Sequence, residues 1–265
     1  MRMSRPLVLA ASTALLVLPL SACGGDEQDP AKALRDAVSA VSGKGSAELV
    51  METRDPEDGT STREGKFSWK PGSRGADVVM QTADSKDFEQ LAGSDGKARL
   101  LSGKDFFYVE LDSPLNGRKW LDLSGDSGSE QDTTPDNGPE TAIAALATAD
   151  DLKKAGTEKV NGQDTDHYTG TVDVAELAET KLQGVSGNSR DEYAENLRNQ
   201  GLKKVRIEVW IGDDGLAVRT VESGRTAKGA YRETVDIKSY GDGFTVDRPP
   251  ASEVATLEEF VRSLQ

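Results

Sequence analysis

Along most of its length the chain alternates apolar and polar positions with a period of two, and five stretches break that alternation with the wider spacing of a helix. Ala33, Leu34, Ala37, Val38 and Val41 fall on one stripe of a helix over 32–41, which Gly43 and Gly45 end. From residue 47 the period changes. Ala47, Leu49 and Met51 alternate with Glu48 and Glu52, the turn 55–59 follows, and Phe67 and Trp69 close the next run. Short runs at 78–80, 98–101, 106–109 and 119–123 continue an antiparallel meander, with a helical turn at 84–92 between two of them. Ile143, Leu146 and Ala147 return to helical spacing within 139–152. Strands at 155–160 and 166–172 are joined by Asn161-Gly162, a dipeptide favoured in two-residue hairpins. Leu177, Leu182, Tyr193, Ala194 and Leu197 share a stripe over helices at 174–182 and 190–200, which a Gly/Ser break at 184–189 separates. Three strands follow at 205–211, 216–221 and 231–240, and Leu257, Phe260, Val261 and Leu264 mark a short last helix. Most neighbouring strands are joined by turns too short for a crossover, so the class is α+β: a single curved antiparallel sheet of about eleven strands with helices across one face.

The first residues carry a different pattern. Arg2 and Arg5 precede an apolar run over 7–20, which ends in Leu20-Ser21-Ala22-Cys23 and then Gly24-Gly25-Asp26. This resembles a bacterial lipoprotein signal with its lipobox, which implies cleavage before Cys23 and acylation of its sulfur. A spanning helix needs ~20 apolar residues, and this run is shorter and broken by Ser12, Thr13 and Pro19. The chain thus divides into a signal peptide over 1–22, a lipidated tether over 23–31 and one domain over 32–265.

Composition narrows the chemistry. The formal charge of −14 becomes −16 without Arg2 and Arg5, which argues against nucleic acid and against a polybasic membrane patch. Cys23 is the only cysteine, so its acylation leaves no thiol for disulfides, thiolate catalysis or a Cys-rich metal site. His167 is the only histidine, which removes His-pair zinc sites and leaves a Ser-His-Asp triad one candidate. No serine sits in a Gly-x-Ser-x-Gly elbow, and no loop has a phosphate-cradle pattern. Carboxylates at 55–58 and 213–215 lack the spacing of a calcium loop and read as turns. No enzyme activity, cofactor or metal is expected, and a hydrolase built on His167 is the weakest reading.

The alternation also nominates a surface. Leu49 with Met51, Val78 with Met80, Phe106 with Tyr108, and Val205, Ile207 and Val209 are placed toward the helices, while Glu48, Glu52, Asp105, Arg206 and Glu208 point away. A half-open sheet with helices laid across it leaves a concave apolar space of the kind that takes lipids and other small ligands. Alternation alone leaves open whether that side meets a ligand or only the helices.

The segment 160–173, VNGQDTDHYTGTVD, contains V-x-G-x-x-T-x-H-Y-x-G. Together with the lipobox, the N-terminal amphipathic helix and the strand count, it resembles the LppX/LprG-type lipoproteins of actinobacterial envelopes, within the LolA-like superfamily. That resemblance implies a half β-barrel closed on its concave side by helices, whose cavity carries acyl chains of an envelope lipid or lipoglycan. It implies a membrane-anchored, extracytoplasmic lipid-binding or lipid-transfer protein without catalysis. A moving helix or loop has to admit the acyl chains, and the helices at 174–182 and 190–200 with the Gly/Ser break between them are the candidates for that gate. The alternative is a non-enzymatic envelope-sensing or protein-interaction module of the same fold without cargo, with the acidic stretch 124–137 as its contact surface.

Overall fold

The computed structural model describes residues 29–82, 92–93, 95–124 and 138–263. The signal over 1–22, Cys23, most of the tether, the helical turn expected at 84–92 apart from its last residue, nearly all of the acidic stretch and Leu264 lie outside the described residues.

In chain order the elements are α1 (Pro30–Ser42), β1 (Ser46–Asp55), β2 (Gly59–Ser68), β3 (Gly75–Thr82), β4 (Lys97–Gly103), β5 (Phe106–Leu115) and β6 (Arg118–Asp122). There follow α2 (Glu140–Leu146), β7 (Lys153–Val160), β8 (Gln163–Asp173), α3 (Val174–Leu177), α4 (Gly187–Asn199), β9 (Lys204–Gly212), β10 (Ala217–Arg225), β11 (Ala230–Gly241), β12 (Val254–Thr256) and α5 (Leu257–Ser263). The strands form one open, curved sheet in the order β12-β6-β5-β4-β3-β2-β1-β11-β10-β9-β8-β7. Two meanders, β1 to β6 and β7 to β11, join where β1 pairs antiparallel with β11. All eleven strands read from the alternation are present, and β12 is added to them. It is three residues long and pairs parallel with β6, too short to carry a period.

The helices start and stop for local reasons. Asp29 caps α1 by accepting from the Ala31 amide at 3.0 Å, with Pro30 at the first helical position, where its missing N–H costs nothing. Ser186 accepts from the Ser189 amide at 3.0 Å, which starts α4 three residues before the expected Arg190. The helix expected at 174–182 is a single turn, although Leu182 beyond it is still buried. The helix expected at 139–152 closes at Leu146, and Thr148 folds back to donate to the Ala145 carbonyl at 2.7 Å.

The main core lies between the sheet and α1, α2, α3 and α4. All five apolar residues of the α1 stripe are buried there, with Ile143 and Leu146 of α2 and with Val205, Ile207 and Val209 of β9. The opposite face is not uniformly wet. Val160, Trp210, Val218 and Val221 form a second cluster, and Leu101, Tyr108 and Trp120 a third. The segment 242–253 crosses that face from β11 to β12, placing Val246 against the third cluster and the Arg248 guanidinium 4.8 Å from the centre of the Phe106 ring.

Two expectations change. Phe106 and Tyr108 point away from the helices, stacked on each other at 5.4 Å and covered by that crossing segment, while Phe107 and Val109 face the core. Phe106-Phe107-Tyr108-Val109 is apolar throughout, so a period of two has no phase there. The last helix does not bury its stripe either, for Leu257 is 50% and Val261 46% exposed.

Candidate functional site

Strand register assembles the concave face row by row. One row runs Val109, Leu100, Val78, Gly65, Leu49, Ile237 across β5, β4, β3, β2, β1 and β11. The next runs Ala98, Met80, Arg63, Met51, Val235, Thr220, Val209, Tyr168 across eight strands. Side chains in register two residues apart share a face, so these rows form one continuous surface. Leu49, Met51, Val78, Met80, Val205, Ile207 and Val209 all belong to it, and Phe106 and Tyr108 do not. The two halves of the surface have different neighbours. α2 lies against β8 and β9, so Val205, Ile207 and Val209 form the floor beneath that helix.

A third row is polar, and the sequence reading missed it. Thr53, Glu233, Glu222 and Ile207 are in register across β1, β11, β10 and β9. Glu222 is 9% exposed and accepts a hydrogen bond from the Tyr193 hydroxyl of α4 at 2.7 Å. Glu233 accepts from Thr53 at 3.1 Å and from Tyr231 at 3.3 Å. Burial, and then the charge of Glu233, push the Glu222 carboxyl up to about 8 against the lowering effect of the Tyr193 hydrogen bond. Burial raises Glu233 as well, opposed by Arg63, Thr53 and Tyr231. A signal was present: Glu233 continues the alternation of Tyr231, Val235 and Ile237, so parity alone placed a carboxylate among core positions.

His167 lies on the convex face. Its ring stacks on Trp210 at 4.2 Å and 10°, with Nδ1 3.2 Å from Glu158 and Nε2 3.3 Å from Glu208. The Trp210 indole donates to Glu158 at 2.6 Å. The 160–173 segment is a folding device around that stack. Asn161 and Gly162 take φ of 52° and 84°, the paired left-handed residues of a tight hairpin, and Thr165 donates to the Glu158 carbonyl at 2.7 Å. Tyr168 is 2% exposed on the concave face, and Gly170 lies beneath the end of α2. Among the described residues no group of His, Cys, Asp and Glu could hold a metal ion, and no helix is long and apolar enough to cross a membrane.

Comparison with known proteins places this architecture. No protein-family model matches the chain. It is 26% identical over 247 residues to an "Uncharacterized 31.2 kDa protein in rplA-rplJ intergenic region" of Streptomyces griseus, covering 88% of this chain and 81% of that one. It is 25% identical over 248 residues to a "Putative lipoprotein" of Streptomyces coelicolor, covering 88% and 77%. Among solved structures it superposes on LprF from Mycobacterium bovis with a TM-score of 0.55 and 14% identity, over 84% of this chain and 97% of that one. It superposes on the lipoprotein LppX of Mycobacterium tuberculosis with a TM-score of 0.50 and 16% identity, over 82% and 98%.

Proposed function

Because the chain has the fold of LprF and the lipoprotein LppX, we propose that it is a lipid-anchored extracytoplasmic lipoprotein that binds or transfers an envelope lipid or lipoglycan. Acyl chains lie against the concave face, and the protein performs no catalysis. The observation that carries this reading is the row Val109, Leu100, Val78, Gly65 and Leu49, which crosses β5 to β1 of an open sheet without a polar side chain, with Met80 and Met51 of the next row on either side of Arg63. Each methylene moved from water onto such a surface gains ~0.8 kcal/mol, so one long chain supplies ample affinity without any polar recognition.

The address is the second half of the proposal. Cys23 ends an apolar segment with the order of a lipobox, and a Streptomyces coelicolor relative carries the name lipoprotein. Two or three acyl chains on Cys23 anchor a protein firmly where one does so only marginally. The short tether then keeps the domain within reach of the bilayer in which its cargo resides.

The test is mass spectrometry of protein purified from its own host. The expected result is a stoichiometric acylated lipid, reduced several-fold in Met80→Trp, whose larger ring occupies the concave surface, and unchanged in His167→Ala. Cys23→Ala is expected to move the protein from the membrane to the soluble fraction. Recovery free of lipid, together with a stable envelope protein in pull-downs, would overturn cargo carriage in favour of an interaction module.

A further inference from the structure

α4 is a polar helix, GNSRDEYAENLRN, with Tyr193, Ala194 and Leu197 as its buried residues. Gly184 and Gly201, both at left-handed φ, break the chain on either side of it. A hydrogen bond from the Tyr193 hydroxyl to Glu222 ties it to the sheet. The acceptor is an unusual one, because Glu222 of β10 stands directly opposite Glu233 of β11 in the ladder, where like charges destabilise.

The groups facing this pair decide which carboxyl holds a proton. From α4 comes Tyr193, from β2 the Arg63 guanidinium, and from β11 Tyr231, which in turn feels the charge of Asp55 at the end of β1. Burial pushes both tyrosines well up, so they stay neutral donors. Glu233, with Thr53, Tyr231 and Arg63 in support, is the better stabilised anion, and Glu222 keeps the proton. When that proton leaves, two opposed carboxylates share one poorly hydrated site. The strands cannot separate to relieve them, because β10 and β11 are each hydrogen-bonded on both sides. α4 can lift.

We propose that α4 is a proton-held lid: one proton on the Glu222–Glu233 pair keeps it docked through Tyr193, and loss of that proton to solvent lets α4 rise and water reach both carboxylates. The lift is a property of the fold alone. Its use as a gate for cargo rests on the lipid-binding reading above.

The direction follows from linkage. In the lifted state Glu222 is hydrated and titrates near the ordinary ~4.3, so the docked state binds the proton more tightly and rising pH favours lifting. The opening equilibrium climbs about tenfold per pH unit between about 5 and 7.5 and levels off above about 8.

Amide hydrogen exchange of the full chain in detergent, compared at pH 5.5 and 7.5 after scaling to intrinsic rates, tests this. Residues 187–199 are expected to lose protection by on the order of tenfold or more relative to α1. Glu222→Gln is expected to abolish the difference, and Glu233→Gln, which removes only the opposing charge, to make it shallower. A wild-type α4 whose protection does not change, or a Glu222→Gln protein with the wild-type slope, overturns the lid. Release of a bound fluorescent fatty acid at the same two pH values separates the two readings. A lifting α4 with no bound or faster-released probe leaves the lid standing and removes the lipid reading.

Discussion

Gly170 shows what a single position in the 160–173 segment does. A Cβ built on it would meet the Ala149 methyl at 2.8 Å, Leu146 Cδ1 at 3.0 Å and Asp151 Oδ1 at 3.2 Å. The absent side chain is therefore what lets the end of α2 settle on β8, where Asp151 also accepts from the Thr171 amide at 2.6 Å. Gly170→Ala must push that turn off the sheet, and overpacking of this kind costs about 1–3 kcal/mol. Urea denaturation is expected to show a lower midpoint with an unchanged slope, and an unchanged midpoint would mean that α2 yields freely. His167 belongs to the same scale. Stacked on Trp210 and flanked by Glu158 and Glu208, it ties β7 to β9 on the face opposite the apolar rows.

At the scale of elements, α5 shows how a helix with an exposed apolar stripe is still held. Thr256 and Glu259 form a capping box: the Glu259 amide donates to the Thr256 hydroxyl at 3.3 Å, and the Thr256 amide donates to the Glu259 carboxylate at 3.0 Å. The same carboxylate takes both guanidinium arms of Arg118 in β6, at 2.6 and 2.8 Å. The Thr256 amide, and then Arg118, hold the Glu259 carboxyl below its usual range. A lowered folded value means that the contribution is present above the ordinary ~4.3 and lost as pH falls through the folded value. The α5 amide signals in NMR spectra are thus expected to collapse toward random coil below about pH 4, ahead of those of α1. In Arg118→Ala they should already be weakened at pH 7. The Thr-x-x-Glu spacing is visible in the chain, but its partner Arg118 is not, because it comes from a strand 141 positions away.

Across the whole molecule, an open sheet must manage two edges. One ends in the short β12, which runs straight into α5. The other is β7, solvent-exposed at every residue but Val160, with Lys153, Lys154 and Lys159 along it and an irregularity between Lys154 and Gly156. Charge and irregularity are the devices that keep an edge from pairing with another chain. Replacing Lys153 and Lys159 with valine is expected to produce concentration-dependent association in sedimentation velocity, while the wild type holds one sedimentation coefficient. The two ends of the sheet are thus held differently: its β7 to β9 end is pinned by α2 and the Trp210 stack, whereas the β1 to β5 half carries the apolar row from Leu49 to Val109.

The eleven longer strands, the amphipathic α1 and the α+β class were legible in the chain, because period and turn chemistry act over a few neighbouring residues. Leu49, Met51, Val78, Met80, Val205, Ile207 and Val209 were assigned to the right face for the same reason: polar neighbours gave each run its phase. Phe106 and Tyr108 lie between Asp105 and Glu110, whose positions imply opposite phases, so only the pairing of β4 with β5 and the segment crossing beneath them decided their side. The union of β1 with β11, the parallel β12, and the docking of Tyr193 on Glu222 were likewise decided by tertiary structure alone. Each joins residues far apart in sequence, and no local pattern encodes which distant partner will exclude water from a side chain.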